Sequence, residues 1–243
     1  MELGSRVALV TGAGRRLGRE IALALAARGM RVAVHYHRSS TEADETLQAI
    51  RAKGHDAATF QADLGDAAAA QELPGQVATH FGRLDVLINS AGIMHRASIE
   101  ETTPELWDEI MHVNLRSLFF TAQGAMRWLR EAKGKIVNVA DVGGLEPWPR
   151  YAAHSISKAG VVMLTRTLAR ALAPDVTVNA VAPGAVLPPA DWDETSRQHL
   201  SDTTPLKRLG SPADVTAAIL YLLEGGDYVT GQVIVVDGGR LIR

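Results

Sequence analysis

The feature that most constrains this chain is a regular alternation of period. Short β-branched runs, "RVALV", "RVAVHY" and "DAATFQ", each give way to a longer segment of helical spacing, "GREIALALAARG", "EADETLQAIRAKG" and "AAAAQELPGQVATHFG". The rhythm continues through "LDVLIN", a long segment at 104–130, "GKIVNVA", the segment at 152–173, "DVTVNAVA", "PADVTAAILYLLEG" and "QVIVVD". Seven strands with intervening helices imply an α/β fold, a parallel, doubly wound sheet covered on both faces. No Ser/Gly-rich linker, charge block or repeat interrupts the pattern, so residues 1–243 read as one domain. The stretch 185–211 is longer and more polar than a simple connection. It is expected to be a lid over a site at the carboxyl ends of the strands, with a solvated excursion carrying a short helix as the alternative.

Composition narrows the partners. Hydrophobic residues make up 47% of the 243, ample for a buried core, and 25 Lys plus Arg against 27 Asp plus Glu give a net charge of −2. With no overall basic field, neither nucleic acid nor an anionic membrane is expected, which leaves small molecules. There is no cysteine, so disulfides, thiolate catalysis and Cys-ligated zinc are excluded, and no metal site is expected. The apolar run in "MELGSRVALVTGAG" is too short for a signal sequence, and no other run nears the roughly 20 residues that span a bilayer. A cytoplasmic location is expected.

The first strand runs into "TGAGRRLGRE", where Gly12, Gly14 and Gly18 surround a strand-to-helix turn. Glycines there let the backbone pass close to a pyrophosphate, and the helix start offers free N–H groups and a positive dipole end. The second strand ends in "HYHRSS", at the place where a fold preferring NAD carries an acidic residue for the ribose 2′-hydroxyl. Here stand His37, Arg38 and Ser39, with Arg15 and Arg16 in the first loop. A planar guanidinium and a hydroxyl suit a dianionic 2′-phosphate, so NADPH is expected rather than NADH. Asp63 after the third strand is placed to accept from an adenine amino group, or to cap the next helix. Asn89 to Gly92, after the fourth strand, is small enough to let the cofactor lie against the backbone.

A second group lies further along. Asn114 sits in "HVNLRSLFF", an apolar context in which an amide must be bonded to something. Asp141 follows "KIVNVA"; thirteen residues later comes His154, and Lys158 follows at i+4 on the same helical face. Each has an ordinary reading by itself: Asp141 as a cap, His154 as a satisfied histidine, Lys158 as a solvated charge.

Together these features resemble the short-chain dehydrogenase/reductases over essentially the whole chain. The resemblance rests on "TGAGRRLG", "NSAG", Asn114, the 141/154/158 spacing, "VNAVAPG" and "VTGQVIVVDGG". It implies a single-domain Rossmann fold, usually a homotetramer, that moves hydride between NAD(P) and a carbonyl, alcohol or imine. It also implies that NADP(H) lies along Gly12, Gly14, Arg15, Arg16, Leu17 and Gly18, then His37, Arg38 and Ser39. Further along it would meet Asp63, Leu64, Asn89, Ser90, Ala91, Gly92 and Lys158, and, after the sixth strand, Pro183, Gly184 and Val186. Within the family the chain most resembles the pteridine reductases, which carry a basic residue at the position of Arg16 and an Asp at that of Asp141. It departs from them twice: His154 stands where the family has its proton-donating tyrosine, and Gly92, Ile93, Met94 replace a pterin-stacking aromatic.

In the family pattern a lysine binds the nicotinamide ribose and activates a tyrosine whose unperturbed pKa is about 10, whereas an imidazole titrates near 6.5 without help. The expectation is therefore a reductase in which His154 donates the proton, Asp141 stabilises the imidazolium, Lys158 holds the ribose and Asn114 holds a water in the relay. Tyr151 is the alternative donor. An NADPH-binding sensor or scaffold with little activity is the alternative of another class. The pocket is expected from the residues after Gly92, from 141–151 and from 185–211, with Trp148, Tyr151 and Trp192 available to stack. A pterin is the expected substrate, with a ketone, quinone or cyclic imine as the alternative. Apolar residues on more than one face of 104–130 and 155–173 predict a homotetramer or a dimer.

Overall fold

The computed structural model describes residues 1–188 and 193–242. All seven expected strands are present: β1 (Val7–Val10), β2 (Arg31–Tyr36), β3 (Ala57–Gln61), β4 (Val86–Asn89), β5 (Lys135–Val139), β6 (Thr177–Pro183) and β7 (Val233–Val236). They pair in parallel in the order β3-β2-β1-β4-β5-β6-β7. The helices are α1 (Arg16–Ala26), α2 (Ser40–Arg51), α3 (Ala67–Phe81), α4 (Pro104–Met111), α5 (Ser117–Ala132), α6 (Ala152–Leu172), α7 (Glu194–Thr203) and α8 (Pro212–Glu224).

The alternation of side chains along β1 shows why the strands read as continuous apolar runs. Val7 and Leu9 join the core formed with Leu73 and Val77 of α3, Leu118 of α5 and Val161 of α6. Ala8 and Val10 point the other way, into the core shared with Ile21 and Leu25 of α1, Ile50 of α2 and Ile219 of α8. Through the central strands both faces are buried, so β1, β4 and β5 contribute on both sides, at roughly 1.5–3 kcal/mol per fully buried large aliphatic, while the edge strands β3 and β7 are only partly covered. At the floor of the sheet, Asp85 accepts from Val7 N at 2.9 Å, Arg6 Nη1 at 2.8 Å and Arg83 Nε at 2.7 Å. The chain order reverses between β1 and β4, which opens a crevice at the opposite, carboxyl edge.

One segment differs from its expected form. Residues 104–130 are not one regular helix: α4, capped by Thr103 and opened by Pro104, passes through a π-helical turn at His112–Arg116 before α5 begins. Asn114 lies in that turn and is fully buried. The stretch 185–211 carries a short helix, α7, whose Leu200 is buried while most of its residues are exposed. Among the described residues no helix is long and apolar enough to cross a membrane.

Candidate active site

The carboxyl ends of β1, β2 and β4 are stitched into one surface. Gly12 adopts φ +67°, a conformation that disfavours any side chain, and a Cβ on Gly18 would come within 2.2 Å of the Gly12 carbonyl oxygen. Gly12 N donates to His35 Nδ1 at 3.0 Å, so that nitrogen accepts and the proton sits on Nε2, which donates to Ala62 O at 3.1 Å. Burial pushes the His35 pKa down to about 4 against the opposing pull of the Ala62 bond. Thr11 Oγ1 accepts from Ser90 N at 2.9 Å and Ala91 N at 3.0 Å, which fixes the "NSAG" loop against the glycine loop.

Helix α1 opens after Arg15 without a side-chain cap, leaving its first-turn N–H groups for another acceptor. Arg16, at φ +52°, reaches across to Leu187 O at 2.5 Å; Leu17 is half-buried. Gly14 packs on the start of α2, where a Cβ would lie 3.3 Å from Ser39 Oγ. Arg15 and Arg38 are exposed. His37 Nε2 stands 3.7 Å from Asp63 Oδ2, while Asp63 Oδ1 accepts from Gly65 N at 2.9 Å. The cap of α3 is Asp66, which accepts from Ala68 N at 2.9 Å, so the capping alternative for Asp63 does not apply. Leu64 is buried. Beyond β6, which ends at Pro183, Gly184 N donates to Val236 O at 2.9 Å and Val186 is buried.

The second group gathers at the ends of β4 and β5. Helix α6 places His154, Ser157 and Lys158 on its buried side. Lys158 Nζ donates to Val139 O at 2.8 Å. Burial lowers its pKa to about 8, with the Asp141 charge acting in the opposite direction. Asn114 Oδ1 accepts from Ile93 N at 2.8 Å, and its Nδ2 donates to Ile93 O at 2.8 Å and Ser157 Oγ at 3.1 Å. The amide expected to need partners thus grips both backbone groups of one residue after "SAG". Ser157 Oγ donates to His154 O at 2.6 Å.

The imidazole of His154 has two different sides. Nδ1 lies 3.3 Å from Ile93 O, its acceptor, and 3.4 Å from Asn114 Nδ2, whose two protons point to Ile93 O and Ser157 Oγ. Nε2 is buried, has no hydrogen-bond partner among the described residues, and faces Asp141 Oδ2 at 3.7 Å. Asp141 Oδ1 is held by Gly143 N at 2.7 Å.

The structure therefore brings Asn114, Asp141, His154 and Lys158 together beside Gly92, whose Cβ would lie 3.6 Å from Lys158 Nζ. Tyr151 stands at the helix start with its ring edge-on to Trp148, centroids 6.2 Å apart. Trp148 is tied by its Nε1 to Glu146 Oε1 at 2.7 Å. Trp192 lies outside the described residues. The sequence reading missed His35, Thr11 and Ser157. Ser157 alone left a usable trace, a hydroxyl three residues after His154 on the same helical face.

A parallel sheet with a glycine-lined crevice at its switch point, and a buried lysine and proton-bearing groups beside it, defines an oxidoreductase scaffold of the dinucleotide type. A family model described as enoyl-(acyl carrier protein) reductase matches residues 12–240. Versicolorin reductase from Emericella nidulans is 36% identical, with 98% of this chain and 96% of the relative covered. The 3-oxoacyl-(acyl-carrier-protein) reductase of Staphylococcus aureus is 39% identical, with 97% and 98% covered. A solved structure of a Serratia marcescens short-chain dehydrogenase/reductase double mutant superposes with a TM-score of 0.92 at 32% identity, covering 99% of each chain. The chain belongs to the short-chain dehydrogenase/reductase family and is an oxidoreductase of that family.

Proposed function

We propose that this protein is an NADPH-dependent reductase of a pterin-like C=N bond, with His154 as proton donor. The observation that carries the reading is the buried, unpartnered Nε2 of His154 facing the Asp141 carboxylate at 3.7 Å.

The crevice fits a nicotinamide dinucleotide. The uncapped start of α1 offers N–H groups to a pyrophosphate, and Lys158 spends one of its three ammonium donors on Val139 O, leaving two for ribose hydroxyls. Arg15, Arg38 and Ser39 are read as holding the 2′-phosphate beyond the end of β2, with His37 beside them, while Arg16 reaches Leu187 O on the other side of the glycine loop. Leu17, Leu64, Asn89, Ser90, Ala91, Pro183, Gly184 and Val186 complete the expected contact surface. When bound, NADPH supplies the hydride.

The remaining work falls to the chain's own groups. Protonated His154 keeps one N–H toward Ile93 O and presents the other at Nε2, where Asp141 stabilises its charge. Nε2 gives its proton to the substrate atom next to the reduced carbon, and Nδ1 keeps its N–H toward Ile93 O in the neutral ring. The Asn114 side chain is occupied by Ile93 and Ser157, so a relay water would be held by its main chain in the π-helical turn. The Asp141 carboxyl group beside Nε2 is an acceptor for a substrate that keeps N–H groups near the reduced bond, which favours the pterin-like class.

A second reading, a ketone substrate, is favoured by the names of the relatives, which reduce versicolorin or 3-oxoacyl groups. Loss of reduced-nicotinamide absorbance with a dihydropterin and with a 3-oxoacyl thioester, run in parallel, separates the two. Preference for the thioester overturns the pterin reading; tight NADPH binding without oxidation by either supports the sensor instead. The stretch 185–211 is read as a lid, tied to the glycine loop through Arg16. Phe119 of α5, 42% exposed, with Ile156 and Met163 of α6, 50% and 58% exposed, supports a homotetramer or dimer built on these helices. The cysteine-free composition supports a cytoplasmic location.

A further inference from the structure

The residues around Trp148 connect the C-terminal turn to the proposed proton donor. Asp237 accepts from Gly239 N and Leu241 N, both at 2.8 Å, and so shapes the turn that presents Arg240. The Arg240 guanidinium lies over the Trp148 ring, its central carbon 5.5 Å from the centroid, and its Nε is 3.4 Å from Glu146 Oε1. The same Glu146 oxygen accepts the indole N–H. The indole in turn runs nearly parallel to the His154 imidazole, 10° between planes and 6.4 Å between centroids.

Trp148 also lies on the turn that holds Asp141. A Cβ on Gly143 would come within 2.7 Å of the indole, so only glycine lets the ring lie there, and Gly143 N is the donor to Asp141 Oδ1. One indole therefore touches the backbone that aims the carboxylate and parallels the ring that carries the proton. It is itself fixed by a carboxylate and a cation from the far end of the chain.

We propose that Arg240, acting through Glu146 and Trp148, is a positioning residue for the Asp141–His154 pair. The inference rests on the reading of His154 as proton donor. Losing the guanidinium frees Glu146, lets the indole swing, and relaxes both the Asp141 turn and the imidazole plane. A misplacement of this kind costs the chemical step more than it costs binding. Among the described residues, the charged groups near His154 are Asp141 after β5, Lys158 one turn along α6, and Glu146 and Arg240 around Trp148.

The test combines Arg240→Ala, Arg240→Lys and Glu146→Gln with two readouts, steady-state kinetics and an NMR titration of the His154 imidazole in the full-length protein. Glu146→Gln keeps an acceptor for the indole but removes the charge that faces the guanidinium. Arg240→Ala should lower kcat about tenfold with KM nearly unchanged, move the His154 titration midpoint by about half a unit or more, and be partly rescued by Arg240→Lys. Glu146→Gln should move the midpoint as well. Unchanged kcat and midpoint in folded Arg240→Ala overturn the inference, and so does a change in melting temperature alone. Full turnover in His154→Gln would instead overturn the proton-donor reading, while the midpoint measured in Arg240→Ala would still report the coupling.

Discussion

His154 Nε2 is buried 3.7 Å from Asp141 Oδ2 and has no hydrogen-bond partner among the described residues. If this pair delivers the proton, Asp141→Asn should slow the chemical step about 10-fold or more with NADPH binding unchanged. An unchanged single-turnover rate in folded Asp141→Asn would contradict the assignment.

Lys158 carries the opposite cost. Its pKa is lowered from 10.5 to about 8 by burial, so the folded state disfavours the ammonium. The penalty is full below pH 8, shrinks as pH rises, and vanishes above the unfolded value. Lys158→Met should therefore stabilise the ligand-free protein at pH 7 by about 1–3 kcal/mol, and by little near pH 10.5. Turnover should drop by about 100-fold or more because the ribose loses its donor. Thermal melts at the two pH values, with rates alongside, check both halves; a variant less stable at pH 7 contradicts the first.

His35 makes the glycine loop acid-labile. With a folded pKa of about 4 against the ordinary 6.5 of the unfolded chain, its contribution is intact above pH 6.5 and is lost as pH falls toward 4, because the unfolded chain takes up the proton first. Denaturant unfolding at pH 7.5 and pH 4.5 should show roughly 2–3 kcal/mol of acid destabilisation in the wild type that is missing in His35→Gln. Equal pH dependence in the two proteins would rule His35 out as the cause.

Cofactor preference should follow the end of β2. Arg38→Ala combined with Ser39→Asp removes a cation and adds a carboxylate where the 2′-phosphate is read to bind. It should cut kcat/KM for NADPH about 10- to 100-fold and leave NADH within a few fold. Parallel losses with both cofactors would show that these residues do not read the phosphate.

The sheet was legible because both of its faces are buried, so that runs such as "VLIN" and "KIVNV" stand out without alternation. Asn114, Asp141, His154 and Lys158 were legible by spacing, and Asn114 also by being an amide among apolar neighbours. The π-helical turn was not legible, because a one-residue shift in hydrogen bonding leaves no mark on residue type. His35 read as an ordinary polar residue in a strand, since its partners, Gly12 and Ala62, come from two other loops. The Arg240, Glu146 and Trp148 cluster escaped for the same reason: tertiary contact alone joins the C-terminal turn to the loop after β5.

His154, rather than Tyr151, is the proposed proton donor to the substrate. Single-turnover reduction by His154→Phe and Tyr151→Phe, each saturated with NADPH, tests it directly. The account predicts a loss of about 100-fold or more in the chemical step for His154→Phe and a change within about threefold for Tyr151→Phe. The reverse pattern, with Tyr151→Phe inactive and His154→Phe near the wild-type rate, would contradict it.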